Sequence, residues 1–218
     1  MNVLLTRPLN QVKSLEALVN ESGHQAILFP TLKIEALKSA PLKERYDVVI
    51  FISANAVEYG LEALSSLDHN HDQIFAVGAA TAKKLDHHGF KVDAFPQDKA
   101  SSESLLAMGE VKKLSNKDIL IFRGKGGRET LKEGLGSNNV VEYIEVYRRV
   151  RCNVKTLHAE SLTQFLSSKE GVITITSVEN LSTMMSIIEQ INVDAMAHIK
   201  QYPLVVLSDR IKTYAQSV

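Results

Sequence analysis

Five times along this chain a short apolar run ends in a small hydroxyl residue or glycine and passes straight into a helical pattern: at Thr6, Ser53, Gly78, Ser177 and Ser208. Runs such as Val48-Val49-Ile50-Phe51-Ile52 are apolar at every position, which fits strands covered on both faces. A strand, a tight turn and a helix repeated in this way build βαβ units and a parallel sheet. The first unit joins Val3–Thr6, a helix with Val12, Leu15, Leu18 and Val19 on one stripe and Gly23 at its end, and Ala26–Phe29. The last third repeats the grammar of the middle: Val172–Ser177 echoes Val48–Ser53, and Leu204–Arg210 echoes Ile74–Ala80. Two similar α/β domains are therefore expected. The first βαβ unit has too few strands to stand alone, so it is expected to share one sheet with the strands after Cys152. That makes residues 1–34 and 150–218 a discontinuous domain, with 35–149 inserted into it. Two extended linkers, around Lys33–Leu37 and Val146–Cys152, join the halves, and a ligand cleft between them is expected at the carboxyl ends of the strands.

The stretch Ile119–Leu131 carries the sharpest chemical signal. Four apolar residues lead into Arg123-Gly124-Lys125-Gly126-Gly127-Arg128, and Glu129-Thr130-Leu131 opens a helix. Glycines admit positive φ and close approach, while helix-start N–H groups and three cations favour an anion. A bare βα turn with solvated basic residues is the plainer alternative. A dinucleotide fingerprint fits poorly, because Glu129 occupies the third glycine position and would face a pyrophosphate; no Walker loop occurs.

Lys and Arg number 25 against 25 Asp and Glu, so a diffuse basic surface for nucleic acid is not supported and any anion site must be local. Cys152 is the single cysteine, which favours a reducing, cytosolic compartment. The N-terminus enters a strand with no signal-peptide pattern, and no apolar run approaches a membrane span, so a soluble cytoplasmic protein is expected.

Smaller features read structurally. His87-His88-Gly89 suits a helix C-terminus. Val92–Phe95 reads as a strand, Ser101-Ser102-Glu103-Ser104 as a helix start, and Thr176 with Glu179 as a capping box. His69 and His71 have ligand-like spacing but sit in a polar loop with no third partner, so no metal is expected. No Ser-His-Asp or Cys-His nucleophile system can be assembled. Tyr147 stands where the strand after the glycine loop crosses between domains, either packing at the hinge or offering a phenol as acid or hydrogen-bond donor.

Leu4-Leu5-Thr6-Arg7-Pro8, Pro96-Gln97-Asp98 with Ser102–Leu106, Phe122–Glu129 and Glu145-Val146-Tyr147-Arg148-Arg149 follow one another in an order that resembles the uroporphyrinogen-III synthase family. Thr176-Ser177 and Leu204–Arg210 extend the likeness over essentially the whole chain. The resemblance implies two α/β domains, no metal or cofactor, and a lyase of haem biosynthesis. Such an enzyme takes hydroxymethylbilane, removes its hydroxyl as water, inverts ring D through a spiro intermediate and closes the macrocycle. It implies Tyr147 as the acid assisting hydroxyl departure. Thr6, Arg7, Ser53, Gly78, Thr81, Ser102, Arg123, Gly124, Lys125, Gly126, Ser177 and Ser208 are the candidate substrate contacts. The expected partner is the small-molecule substrate, with the preceding pathway enzyme a further candidate, and a monomer is expected. The family normally continues through another strand and helix beyond the position of Val218, and many relatives have glycine and threonines where this chain has Ser208-Asp209-Arg210. A non-catalytic two-domain sensor of an acidic small molecule would account for the linkers and the glycine loop equally well. A Rossmann-type nucleotide enzyme is disfavoured by Glu129.

Overall fold

The structure, a computed structural model, describes residues 1–68 and 73–218; His69 and His71 lie outside them. The chain falls into two compact units, Met1–Ile34 with Val150–Val218, and Glu35–Arg149. In chain order, strand β1 (Asn2–Leu5) leads through a short 3-10 turn to helix α1 (Lys13–Glu21), followed by β2 (Gln25–Leu28) and β3 (Leu32–Ala36). Next come β4 (Val48–Phe51), α2 (Ala54–Ser65), β5 (Gln73–Ala76), α3 (Ala79–His87), α4 (Ser102–Ala107), α5 (Gly109–Lys112), β6 (Asp118–Gly124), α6 (Thr130–Leu135) and β7 (Val140–Arg151). The chain then runs through α7 (Thr156–Leu166), β8 (Gly171–Ile175), α8 (Val178–Ile191), α9 (Ala195–Ile199), β9 (Leu204–Val206) and α10 (Asp209–Ser217).

In the discontinuous unit four parallel strands lie in the order β2-β1-β8-β9, with Asn2–Leu5 paired to Gln25–Leu28 on one side and to Gly171–Thr174 on the other. Alternation along these strands sorts the core into two faces. Leu4, Ile27, Ile173 and Ile175 pack with Leu162 and Phe165 of α7 and with Leu181, Met184, Ile187 and Ile188 of α8. Val3 and Leu5 turn the other way onto Val12 and the α1 stripe. That stripe is narrower than its sequence pattern, because Leu18 is 59% exposed. Helix α7 was not legible as an element; one of its buried anchors is His158, whose ring accepts the Lys155 N–H at Nδ1 (3.0 Å) and faces the Pro30 carbonyl through Nε2 (2.8 Å).

The inserted unit carries the order β3-β7-β6-β4-β5, with β7, β6, β4 and β5 mutually parallel. Its core gathers Val48, Ile50, Phe75, Ile119 and Ile121 with Leu105, Leu131 and Leu135 from the helices. Three expectations are corrected. Val92–Phe95 is no strand: only Ala94 bridges to Phe75, because the Asp93 carboxylate takes the Ile74 N–H (2.8 Å) where a ladder carbonyl would continue, and Pro96 follows. The cap of α8 is one residue later than Thr176, with Ser177 Oγ accepting the Asn180 N–H (3.0 Å) while the Thr176 N–H goes to Asn180 Oδ1 (3.3 Å). Finally, Arg123 and Gly124 belong to β6 rather than to the loop, and α6 is a helix of 6 residues that begins only at Thr130.

Candidate functional site

The carboxyl ends of β4 and β6 and the interior of β7 bring Ser53, Gly124 and Tyr147 together within the inserted unit. Between β6 and β7 the register slips: Arg123 pairs with Glu145, but Gly124 pairs with Tyr147, so Val146 is the extra residue of a bulge. Such a bulge re-aims the side chains beyond it. Here it lays the Tyr147 ring over Gly124 so closely that a Cβ on Gly124 would sit 2.5 Å from the ring carbon Cζ. Glycine is thus required at 124 by the tyrosine. The Tyr147 hydroxyl lies 3.1 Å from Ser53 Oγ, which also accepts the Ala56 N–H (3.0 Å) as the cap of α2. Tyr147 is only 5% exposed, whereas Ser53 is half-buried, so the hydroxyl pair reaches solvent at its serine end. The Tyr59 ring, 6.0 Å away between centroids, forms part of the wall.

The glycine loop differs from a cradle of free cations and free N–H groups. Arg123 is 2% exposed: its Nη1 donates to Glu129 (2.8 Å), its Nε to the Gly124 carbonyl (3.3 Å), and its guanidinium lies 4.2 Å from the centroid of the Tyr143 ring. Burial, above all, raises the Tyr143 pKa. Arg128 donates to Glu103 (2.5 and 3.4 Å), and this partner holds the Glu103 carboxyl down at about 2. Gly126 takes φ +77, as a tight turn requires, and its N–H donates to Glu145 (3.4 Å), while the Lys125 N–H goes to the Tyr147 carbonyl (2.8 Å). The three carboxylates that the loop engages, those of Glu103, Glu129 and Glu145, belong to the protein itself. Beside it, Ser101, Ser102, Arg123, Arg128 and Tyr143 line a pocket of about 250 Å³, with Ile52 and Val77 from the ends of β4 and β5.

The remaining candidates divide by burial. Gly78 makes room for Ala100, whose Cβ would lie 2.4 Å from one added at 78, and so seats the loop that carries Ser101 and Ser102. Thr81 is buried inside the first turn of α3 and presents nothing to a ligand. Thr6 is likewise fully buried: its hydroxyl faces Asn180 Oδ1 (2.7 Å) and its carbonyl accepts from Asn180 Nδ2 (2.9 Å) and Thr31 Oγ1 (3.2 Å). Both threonines are structural, because a shallow carboxyl end of a strand is still covered when a helix packs down on it. Arg7 is half-buried, Ser177 caps α8, and Ser208 is exposed at the start of α10 with no cap bond from its side chain. Asn180, the hub of the Thr6 cluster, escaped sequence reading; an amide inside the apolar stripe Leu181, Met184, Ile187, Ile188 was the available signal. Cys152 is half-buried, and burial pushes its thiol pKa up, which makes it a poor nucleophile. Among the described residues no group of three or more His, Cys, Asp and Glu side chains gathers as metal ligands, and no helix is long and apolar enough to cross a membrane.

Residues 13–218 match the sequence family described as Uroporphyrinogen-III synthase HemD. The chain belongs to the uroporphyrinogen-III synthase family. Among relatives, the uroporphyrinogen-III synthase of Escherichia coli (strain K12) is 28% identical over 201 residues, covering 87% of this chain and 81% of that protein. The Salmonella typhimurium enzyme is 30% identical over 202 residues, with the same coverage. The solved uroporphyrinogen-III synthetase of Helicobacter pylori 26695 has a TM-score of 0.62 at 16% identity, covering 99% of this chain and 88% of that chain. A mutant uroporphyrinogen III synthase from Thermus thermophilus gives 0.54 at 16% identity, covering 100% of this chain and 96% of that chain. At that identity the structures establish the shared fold. As a member of the uroporphyrinogen-III synthase family this chain is a lyase of haem biosynthesis, and the bulge that seats Tyr147 on Gly124 joins two of the runs that carry the family likeness.

Proposed function

We propose that this synthase folds hydroxymethylbilane around the carboxyl ends of its strands and uses the Tyr147–Ser53 hydroxyl pair as the proton source for the first chemical step. The observation that carries this reading is the 3.1 Å contact between the Tyr147 and Ser53 hydroxyls, held by the Gly124 gap and the α2 cap. The substrate's hydroxymethyl C–O bond breaks with its electron pair on oxygen. A proton from the phenol, directly or through Ser53 Oγ, lets that oxygen leave as water. The remaining methylene cation is delocalised over its pyrrole. Attack by the substituted carbon of ring D gives the spiro intermediate; its reopening and reclosure invert ring D, and the ring proton lost at the end restores the phenol. Substrate and product differ by one water and no electrons, so the chemistry calls for no redox cofactor.

Departure of this hydroxyl is intrinsically easy, so the protein's main work is to hold the bilane in the folded geometry that favours the inverted product. Backbone and side chains of Arg7, Ser53, Gly78, Ser102, the Arg123–Gly126 run, Ser177 and Ser208 are the proposed contacts to its carboxylate arms. In this reading the enzyme works as a monomer in the cytoplasm and receives its substrate from the enzyme that makes the bilane. Tyr147→Phe removes the proton and keeps the ring. Its turnover of hydroxymethylbilane is expected to fall by at most about a hundredfold to ten-thousandfold, with folding little changed. Wild-type turnover in that variant removes Tyr147 from the mechanism.

A further inference from the structure

We infer that the pocket beside the glycine loop is a subsite for a single carboxylate arm of the substrate, and that Glu103 is its latch, occupying Arg128 until the arm arrives. The inference rests on the synthase reading above. At about 250 Å³ the pocket is smaller than one that encloses a whole drug-sized ligand, far too small for a tetrapyrrole, and suited to one acetate or propionate arm. Its chemistry selects an anion. Arg123 is buried on the Tyr143 ring, with Nε donating to the Gly124 carbonyl and Nη1 to Glu129. The Nη2 edge passes Gly127, where an added Cβ would lie 2.6 Å away, so the glycine keeps any side chain of its own off that edge. A planar guanidinium fixed by stacking presents its N–H groups in one direction, which a flexible ammonium does not. Ser102 adds a half-buried hydroxyl, and Ser101, whose Oγ caps α4 by accepting the Ser104 N–H (3.0 Å), forms the wall.

The second arginine is held differently. Arg128 and Glu103 meet across the pocket's edge with 68% and 55% of their side chains exposed. An exposed pair is weak and exchangeable, so an incoming carboxylate can take Arg128 from Glu103 at little cost. Glu129, the other acid nearby, stays on Arg123 and sets its orientation. Arg128 therefore closes on the arm from the rim while Arg123 receives it from below.

The latch makes the two halves of one ion pair act in opposite directions, and a merely structural pair does not. Arg128→Gln and Glu103→Gln are made in the full chain, and the Michaelis constant for hydroxymethylbilane and the share of isomer I are measured for each. Arg128→Gln is expected to raise KM about fivefold and to increase isomer I, because a loosely held bilane closes without inversion. Glu103→Gln is expected to lower KM about twofold or more by freeing Arg128. Thermal midpoints of both variants should stay near the wild type, since the pair is exposed. Equal shifts in the same direction, or no shift in either variant of an active enzyme, overturn the subsite while leaving the synthase reading intact. A wild-type chain that yields only isomer I overturns the synthase reading and the subsite with it.

Discussion

Replacing Gly124 by alanine tests the link between backbone geometry and catalysis most sharply. The added Cβ would stand 2.5 Å from Cζ, 2.6 Å from Cε2 and 2.9 Å from the hydroxyl oxygen of Tyr147. Ordinary van der Waals contact begins nearly 1 Å further out, so the ring must retreat by roughly 1 Å. It cannot do so and keep its partner. Moving the phenol by that amount stretches the 3.1 Å contact with Ser53 to about 4 Å, beyond hydrogen-bond reach. A displacement of that size at a reacting group costs about a hundredfold in rate, which lies within the range a general acid contributes. The accompanying overpacking should cost about 1–3 kcal/mol of stability. Steady-state turnover of Gly124→Ala, Tyr147→Phe and the double variant forms a cycle. If Gly124 acts through the hydroxyl, the second substitution adds almost nothing to the turnover loss of the first. Full turnover in Gly124→Ala, or losses that multiply in the double variant, refutes the reasoning.

Three further outcomes are expected. Asn180→Ala should lower unfolding free energy by about 3 kcal/mol or more in urea titrations, because the Thr6 carbonyl, the Thr31 hydroxyl and the Thr176 N–H lose partners in a buried cluster. Gly126→Val should damage substrate affinity more than Lys125→Ala: nothing lies within 4 Å of a Cβ at 126, so its cost is the strain of φ +77, about 1–2 kcal/mol, against about 1 kcal/mol or less for a solvated charge; the reverse order would place the site in the lysine. Tyr46 donates to Glu142 and is buried, and burial first, then that carboxylate, raises its pKa from 10.0 to about 12. Because the folded chain disfavours the ionised phenol, up to about 3 kcal/mol of stability is present below pH 10 and is lost as the pH rises through 12. Tyr46→Phe should flatten that alkaline decline, and an unchanged profile would remove Tyr46 as its cause.

Strands such as β4 were legible because they are short apolar runs, whereas the face that Val3 and Leu5 take against Leu4 shows only in their packing on α1, α7 and α8. Helix α7 was not legible, since its buried positions include His158 and Ser161, polar side chains that become interior only through bonds to the Pro30 and Leu28 carbonyls. The site followed the same division. Gly126 could be read from turn chemistry, Ser53 from its place after an apolar strand, and Tyr147 from the domain crossing and the family likeness. What the arginines of the loop would do could not be read, because Glu103, Glu129 and Tyr143 reach them only through the packing of α4, α6 and β7. Thr6 and Ser53 illustrate the limit. Both end an apolar strand before a helical pattern, yet one hydroxyl is sealed under Asn180 and the other meets Tyr147 near the surface.

The isomer composition formed from fresh hydroxymethylbilane is the most direct measurement. Without an enzyme the bilane closes to isomer I, so each molecule of isomer III reports a ring that the protein has turned. Products are oxidised to the porphyrins and the two isomers separated by chromatography at several enzyme concentrations. The account predicts that isomer III becomes the main product as enzyme is raised and that Tyr147→Phe shifts the balance back toward isomer I. Isomer I alone at every concentration of folded protein would contradict it.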